Sequence, residues 1–373
     1  MESMEVTGFG GAFSGRTVLV TGHTGFKGAW LSLWLRELGA NVVGYALAPN
    51  TKPSLFEQLG LAKLVDSRLG DVRDAALLEK ILRETRPEIV FHLAAQPLVR
   101  LSYEQPAETF ATNVSGTANL LDAVRHADSV RAVTVITTDK CYENRETDQA
   151  YREDDRLGGR DPYSASKACA ELVVASYRAS FFSADAAKRH PASVSTARAG
   201  NVIGGGDWAA DRLIPDCLRA LAAGRPISVR NPRAVRPWQH VLEPLSGYLR
   251  LAALQLAEPG KYAEAWNFGP SEGDARTAAD VADLVVRAWG SGGWSSPAAV
   301  GPQPHEAGLL RLDSTKARER MNWRPVYGVD EAVAKTVAWH RAAAEPGFDA
   351  LAFTRAQIAD YAAAEKSAAG TRP

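Results

Sequence analysis

Several features that mark whole classes of protein are scarce or missing in this sequence. Only three cysteines, Cys141, Cys169 and Cys217, occur in 373 residues, and none of them forms a CxxC pair. This spacing argues against a disulfide framework and a zinc site, and it indicates a reducing compartment. The 43 Lys and Arg residues balance 43 Asp and Glu residues. The net charge therefore offers no general attraction to nucleic acid or to membrane surfaces.

Long apolar runs are also missing. The first 13 residues contain acidic side chains, no basic stretch and no apolar core, so they match neither a secretory signal nor a membrane span. We therefore expect a cytoplasmic protein without a metal ion, whose partner is a small molecule. With 46% hydrophobic residues the chain can bury a large core, as two domains or as one large α/β unit.

Strand and helix patterns alternate along the first half of the chain. Short β-branched runs predict strands, and helical periodicity such as that of residues 75–84 separates them. The predicted strands cover residues 16–21, 41–45, 65–69, 88–93, 132–137 and 193–197. Strands joined by crossover helices predict a Rossmann-like α/β fold, a doubly wound parallel sheet that binds its ligand at the carboxyl ends of the strands.

Three glycines, Gly22, Gly25 and Gly28, follow the first predicted strand and precede a predicted helix at residues 29–38. Glycines allow a tight turn and the close approach of a pyrophosphate, which a helix N-terminus stabilises. The spacing differs from GxGxxG, and taken alone it could be a helix-packing turn. The second strand ends without an acidic residue for a ribose diol and without an arginine for a 2′-phosphate, so NAD and NADP both remain open. His23 is expected to stabilise the turn.

Tyr163 and Lys167 are four residues apart in a helix that Pro162 can begin, so both side chains lie on one face. A phenol with a pKa of about 10 is a poor base, and an ammonium group one turn away lowers that pKa. The pair predicts removal of a proton from an alcohol. The alternative is an amphipathic surface helix whose lysine extends into solvent.

Asp139 and Lys140 follow Thr138 at the end of the strand predicted for residues 132–137. An acid and a potential base at this place suggest a second proton transfer. Lys140 must be neutral to act as a base, and lowering its pKa by about three units corresponds to roughly 4 kcal/mol. Asp139 must be protonated to act as an acid, and a close ammonium group opposes this, so the two can titrate as a coupled unit. The alternative is a surface ion pair.

Six segments that include these motifs resemble the extended short-chain dehydrogenase/reductases, and within them the CDP-glucose 4,6-dehydratases. They are residues 20–28, 94–100, 137–144, 161–167, 198–208 and 236–241, and the similarity extends over roughly residues 14–365. The related dTDP-glucose dehydratases carry Asp-Glu where this chain has Asp139 and Lys140. That difference favours the CDP-sugar branch.

The resemblance implies conversion of CDP-glucose to CDP-4-dehydro-6-deoxyglucose and water. Tyr163, supported by Lys167, would accept the proton of the 4-hydroxyl while hydride passes from C4 to a retained NAD. Thr138 would bind the 4-oxygen. Lys140 would then remove the C5 proton, Asp139 would protonate the departing 6-hydroxyl, and the hydride would return to C6.

The resemblance also implies binding residues. The expected cofactor contacts are Gly22, Thr24, Gly25, Phe26, Gly28, Asp71, Ala94, Tyr163 and Lys167. The expected substrate contacts are Gln96, Asn201, Arg212, Leu213, Arg236, Asn267 and His305. Of these, Asp71 is predicted at the adenine edge, and Arg236 suits a pyrophosphate because a guanidinium group can bind two of its oxygens.

The implied domain organisation has an NAD-binding domain at residues 14–200, to which a segment at about 236–268 returns. A smaller substrate-binding lobe is expected at 201–235 and 269–345, with a C-terminal helical tail at 346–373. Family members commonly dimerise through the helix of the Tyr and Lys pair and the long helix before it, here at about residues 109–125. A homodimer is therefore expected.

Two alternative functions remain at this point. One is a sibling enzyme of the same family, such as an epimerase or a dehydratase of another nucleotide sugar, and the acid-base pair Asp139 and Lys140 argues against an epimerase. The other is a non-catalytic NAD-binding protein. It would be expected to have lost Thr138, Tyr163 or Lys167, and all three are present.

Overall fold

The structure is a computed structural model that describes residues 9–183, 190–296 and 307–370. Its strands, in chain order, are β1 (Thr17–Thr21), β2 (Asn41–Ala46), β3 (Asp66–Leu69), β4 (Ile89–His92), β5 (Ala132–Ile136), β6 (Ser193–Ala199), β7 (Asn201–Ile203), β8 (Ile227–Ser228), β9 (Val235–Arg236), β10 (Trp238–His240), β11 (Ala265–Phe268), β12 (Arg276–Thr277) and β13 (Trp294–Ser295).

The α-helices connect and cover these strands. They are α1 (Phe26–Glu37), α2 (Leu55–Gln58), α3 (Ala75–Thr85), α4 (Val99–Glu104), α5 (Pro106–Phe110), α6 (Gly116–Arg125), α7 (Pro162–Tyr177), α8 (Leu213–Ala222), α9 (Leu242–Ala257), α10 (Ala278–Trp289), α11 (Thr315–Met321), α12 (Val329–Ala342) and α13 (Ala350–Gly370). Within the described ranges, no helix is both long and apolar enough to cross a membrane.

Seven strands form one parallel sheet in the order β3-β2-β1-β4-β5-β6-β11. The strands β4 and β5 are buried along their whole length, as a parallel sheet with helices on both faces requires. The chain order reverses between β1 and β4, and ligands bind at such a switch point in doubly wound folds. The prediction of a doubly wound parallel sheet is confirmed.

Each face of the sheet has its own hydrophobic core. On one face α1, α9 and α13 contribute large buried aromatic rings, including Trp30, Trp34, Tyr248 and Tyr361. On the other face α3, α6 and α7 contribute aliphatic side chains. A third core joins α8, α10 and α12 beside the sheet, in the region that the sequence assigned to a smaller lobe. The exact domain boundaries remain a prediction.

The start of α1 differs from the sequence prediction, and α13 makes contacts that the sequence did not predict. Helix α1 begins at Phe26 rather than at residue 29, because Gly28 lets its first turn lie against the preceding loop: a Cβ atom there would be 2.1 Å from the Gly22 carbonyl oxygen. The C-terminal helix α13 lies in the segment predicted as a helical tail, and it packs against α1 and α9. The ring centroids of Tyr361 and Trp34 are 5.7 Å apart, and the Tyr361 hydroxyl donates a hydrogen bond of 2.8 Å to Glu243.

Candidate active site

A cavity of about 1230 Å³ opens at the carboxyl ends of the central strands and extends toward α8. Most of the predicted site residues line it. These are Gly22, Thr24, Gly25, Phe26, Gly28, Asp71, Ala94, Thr138, Lys140, Tyr163, Lys167, Asn201, Arg212, Leu213 and Arg236. The volume exceeds the range of about 300–1,000 Å³ that is usual for one small-molecule site, so two ligands can share the cavity.

The glycine turn forms one end of this cavity. Gly22 has φ of +75°, and a Cβ atom there would lie 2.7 Å from the backbone nitrogen of Ala94. Helix α1 has the glycine Gly25 as its N-cap and carries no acidic residue in its first turn. Its first N–H groups therefore have no side-chain acceptor from the cap and can serve an anion. The turn fits the diphosphate of a dinucleotide.

Tyr163 and Lys167 are held in the first turns of α7. Asp161 caps the helix by accepting a hydrogen bond of 2.9 Å from the Ser164 backbone, and the Lys167 ammonium donates one of 3.0 Å to the Ile136 carbonyl at the end of β5. Burial lowers the pKa of Lys167 to about 8, although the charge of Glu171 opposes this. Burial raises the pKa of Tyr163 to about 12, and a hydrogen bond with Thr138 acts against it.

A buried ion pair lies beneath these residues. Glu171 and Arg198 are 2.8 Å apart, and their side chains are 3% and 4% exposed. The hydroxyls of Thr137 and Thr196 also donate to the Glu171 carboxylate. Burial would raise the pKa of Glu171, but the Arg198 charge and these hydrogen bonds hold it below its ordinary value. The pair joins α7 to β6, directly under the site.

Thr138, Asp139 and Lys140 lie where β5 passes into a short 3-10 helix, Asp139–Cys141. The Thr138 hydroxyl donates a hydrogen bond of 3.0 Å to Asp139 Oδ1. The Lys140 ammonium lies 3.5 Å from the same oxygen and 3.3 Å from Asn201 Oδ1. Its side chain is 24% exposed, which leaves it open to the cavity. This position suits a group that acts on a bound substrate.

Asp139 occupies a different environment from its neighbours. It has 0% exposure, and it is not one of the described residues that line the cavity. Its Oδ2 atom has no hydrogen-bond partner among the residues that the structure describes. The carboxylate therefore lies directly behind the cavity wall that Thr138 and Lys140 form.

Basic side chains surround the other end of the cavity. Arg212 precedes α8 and pairs with Asp207 at 3.0 Å, while Arg236 donates to the carbonyls of Val235 and Ala307. Further arginines line the same region: Arg100, Arg145, Arg160, Arg219, Arg225 and Arg230. This concentration of positive charge favours a nucleoside diphosphate group.

Two predicted substrate residues do not line the cavity in the part of the chain that the structure describes. The Gln96 amide donates to the Leu98 carbonyl and the Thr109 hydroxyl, so it shapes its own loop. Asn267 is fully buried, accepts a hydrogen bond from Tyr142 and donates to the Tyr151 carbonyl. These amide groups are taken up by hydrogen bonds within the protein, and their contacts with the substrate stay predictions. His305 lies outside the described residues.

Lys27 lines the cavity and was missed by sequence reasoning. It is the second residue of α1, and its ammonium donates a hydrogen bond of 3.4 Å to the Tyr248 hydroxyl. Burial lowers the pKa of Lys27 to about 7, and the charges of Arg212 and Lys167 add to this. A lysine between two glycines of a phosphate-binding turn was the signal that could have revealed it.

The chain is similar to known proteins over the region that contains these residues. A family model described as GDP-mannose 4,6 dehydratase matches residues 19–289. The chain belongs to this family. The predicted membership of the extended short-chain dehydrogenase/reductases is thereby confirmed.

Individual dehydratases and an epimerase are similar to this protein over most of its chain. A CDP-glucose 4,6-dehydratase of Salmonella typhimurium is 50% identical over 353 residues, which are 94% of this chain and 98% of the relative. A dTDP-glucose 4,6-dehydratase of Streptomyces venezuelae, whose crystal structure contains NAD, is 27% identical with a TM-score of 0.71, and the match covers 87% of this chain and 97% of that one. The UDP-glucose 4-epimerase of Thermotoga maritima shares the fold. Its structure matches with a TM-score of 0.74 and 22% identity, over 88% of this chain and 100% of that one.

Proposed function

We propose that this protein is a CDP-glucose 4,6-dehydratase, an NAD-dependent hydro-lyase that converts CDP-glucose to CDP-4-dehydro-6-deoxyglucose and water. The observation that carries the proposal is the meeting of Tyr163 and Lys167 with Thr138 and Lys140 at one cavity. The 50% identity to a CDP-glucose 4,6-dehydratase supports the cytidine nucleotide. An epimerase has no need of the second pair of proton-transfer groups.

The residues that would hold NAD are Gly22, Thr24, Gly25, Phe26, Gly28, Asp71, Ala94, Tyr163 and Lys167, all of which line the cavity. NAD bound by these residues would supply the hydride acceptor for C4 and the hydride donor for C6. The residues at the end of β2 do not distinguish NAD from NADP. The NAD bound in the Streptomyces venezuelae relative supports NAD as the cofactor. The Lys167 ammonium, fixed by the Ile136 carbonyl, would hold the nicotinamide ribose.

The protein's own part in the chemistry is to move protons. Tyr163 would take the proton of the 4-hydroxyl, with the Lys167 ammonium favouring the phenolate. The 4-ketone acidifies the proton on C5, which Lys140 would remove from its place in the cavity wall. Asp139 would supply the proton with which the 6-hydroxyl leaves. Asn201, 3.3 Å from the Lys140 ammonium, would orient that side chain.

The remaining substrate contacts are proposed from their position. Asn201, Arg212, Leu213 and Arg236 line the cavity, and the two arginines suit the diphosphate of the nucleotide sugar. The smaller lobe at residues 201–235 and 269–345 would bind the nucleotide, and the domain at 14–200, with its returning segment, would bind NAD.

The function is tested by incubating the purified protein separately with CDP-glucose, dTDP-glucose, UDP-glucose and GDP-mannose. Mass spectrometry should detect the loss of one water from CDP-glucose only. The Tyr163→Phe variant is the matched control and should give no product. Turnover of only a non-cytidine substrate, or isomerisation without a change of mass, would contradict the proposal.

We also propose a homodimer in the cytoplasm. Two large apolar side chains are exposed near the predicted interface, Leu172 on α7 at 59% and Phe110 at the end of α5 at 37%. The cysteines of the described chain carry free thiols, in keeping with a reducing compartment. Light scattering should give twice the chain mass, and Leu172→Glu should reduce it to that of one chain. A monomeric wild type would exclude the dimer.

A further inference from the structure

Arg212 is one of the two arginines proposed for the diphosphate, and the inference drawn from its surroundings rests on that proposed function. It is the N-cap residue of α8, it lines the cavity, and its side chain is 33% exposed. An arginine side chain has several rotatable bonds, and fixing them when a ligand binds costs affinity. A partner that already holds the guanidinium before the ligand arrives removes much of that cost.

Asp207 is such a partner. Its Oδ2 atom accepts a hydrogen bond of 3.0 Å from Arg212 Nη1, and its Oδ1 atom accepts one of 3.2 Å from the Ala209 backbone N–H. The carboxylate therefore connects the guanidinium to the loop of residues 204–212. A guanidinium carries five N–H donors, so this contact leaves further donors for the oxygens of a diphosphate.

The loop that carries this carboxylate is packed closely against the rest of the protein. Residues 204–206 are three consecutive glycines, and a Cβ atom on any of them would lie between 2.1 and 2.7 Å from a neighbouring side chain. The Trp30 indole donates a hydrogen bond of 2.9 Å to the Gly205 carbonyl. Further along the loop, the Arg219 guanidinium donates to the carbonyls of residues 208 and 209. The carboxylate is thus held on a well-supported part of the backbone.

The charges around Arg212 show why a partner is needed. Lys27 lines the same cavity; burial lowers the pKa of Lys27 to about 7, and the Arg212 charge adds to this. The two cationic groups are therefore close enough to repel each other. The Asp207 carboxylate supplies an opposite charge at 3.0 Å. Without it, repulsion from Lys27 would favour other orientations of the guanidinium.

We propose that Asp207 is a positioning residue, whose carboxylate fixes the Arg212 guanidinium toward the cavity in the orientation that binds the diphosphate of the nucleotide sugar. The side chain of Asp207 is 5% exposed and that of Arg212 is 33% exposed, so the guanidinium rather than the carboxylate faces the ligand. Asp207 acts only through Arg212. Its removal should therefore weaken the binding of ligands that carry the diphosphate and spare ligands that lack it.

The test compares two ligands that share the nucleoside. Inhibition of CDP-glucose turnover by the holoenzyme gives the inhibition constants of CDP, which has the diphosphate, and of cytidine, which lacks it. Asp207→Asn keeps an acceptor for the Ala209 N–H but loses the charge that holds Arg212. It should weaken inhibition by CDP about tenfold and change inhibition by cytidine by no more than about twofold. The KM for CDP-glucose should rise more than kcat falls, because the diphosphate is bound equally before and during the chemistry.

A second background separates positioning from a general loosening of the loop. Arg212→Gln should itself weaken inhibition by CDP, and adding Asp207→Asn to it should have no further effect. Asp207→Glu, which displaces the charge by one methylene group, decides the question if Asp207→Asn does not fold, and it should also weaken CDP while sparing cytidine. Equal losses for CDP and cytidine, an unchanged inhibition by CDP, or an additive loss in the Arg212→Gln background would overturn the positioning role. A wild type that does not turn over CDP-glucose would instead contradict the proposed function, and the positioning role with it.

Discussion

The buried pair of Glu171 and Arg198 yields a prediction that links stability to catalysis. Glu171→Gln keeps the size of the side chain but leaves the Arg198 charge, 4% exposed, without its carboxylate. Removing one partner of a buried ion pair costs about 3–5 kcal/mol. The carboxylate accepts from Thr137 and Thr196 on different oxygens, and glutamine keeps only one acceptor oxygen. We therefore expect a loss within this whole range, about 3–5 kcal/mol.

The same substitution should change the pH dependence of oxidation. Burial lowers the pKa of Lys167 to about 8, and the Glu171 charge is what raises it against that effect. Without that charge the pKa falls further, so the Lys167 ammonium is lost at a lower pH. The alkaline limb of the oxidation rate should therefore move below its wild-type position.

Urea unfolding measures the first effect, and the initial rate of cofactor reduction over a range of pH measures the second. The double variant Glu171→Gln and Arg198→Met is the matched control: it should regain part of the stability, because no charge is left unpaired, and should keep the shifted pH profile. A loss of stability below about 1 kcal/mol, together with an unchanged alkaline limb, would refute this reasoning.

Three further predictions follow from single residues. Lys140→Met should slow the loss of water by about a hundredfold or more while reduced cofactor still forms; mass spectrometry and nicotinamide absorbance measure the two, and near wild-type elimination would exclude Lys140 as the base. Gly28→Ala should weaken NAD binding in a fluorescence titration, since its methyl group would lie 2.1 Å from the Gly22 oxygen, whereas Gly260→Ala, which meets nothing within 4 Å among the described residues, should not; equal binding by both would contradict the steric argument. Burial lowers the pKa of His92 to about 3, so the unfolded chain takes up more protons below its pKa of about 6.5, and His92 should reduce the stability by about 2 kcal/mol on going from neutral pH to about pH 5; urea unfolding of His92→Gln should show a weaker pH dependence, and an equal one would be inconsistent with a neutral His92.

The strands of the sheet were predictable because their signal is local. A run such as residues 132–136 is apolar and β-branched, and a strand covered on both faces requires this composition wherever it occurs. The start of α1 was less accessible to sequence reasoning. It depends on the contact between Gly28 and the Gly22 carbonyl oxygen, which periodicity does not encode.

Within the site, the motifs predicted which residues meet, and the packing decided what each one faces. Lys140 and Asp139 are adjacent in sequence, yet Lys140 lines the cavity while Asp139 is fully buried. Gln96 and Asn267 were assigned to the substrate by resemblance, and the structure uses their amides to hold loops. Lys27 was overlooked because the glycines around it dominate the motif.

The sequence by itself determined the α/β architecture, the glycine turn and the pairing of Tyr163 with Lys167. Each of these features is encoded by residues that are close together in the sequence, so the spacing of the residues alone reveals it. Only the tertiary structure decided that Asp139 is buried behind the cavity wall and that the Lys167 ammonium is bonded to the Ile136 carbonyl. Burial and hydrogen bonding depend on elements far apart in the chain, here β5 and α7, and their contact exists only once the chain has folded.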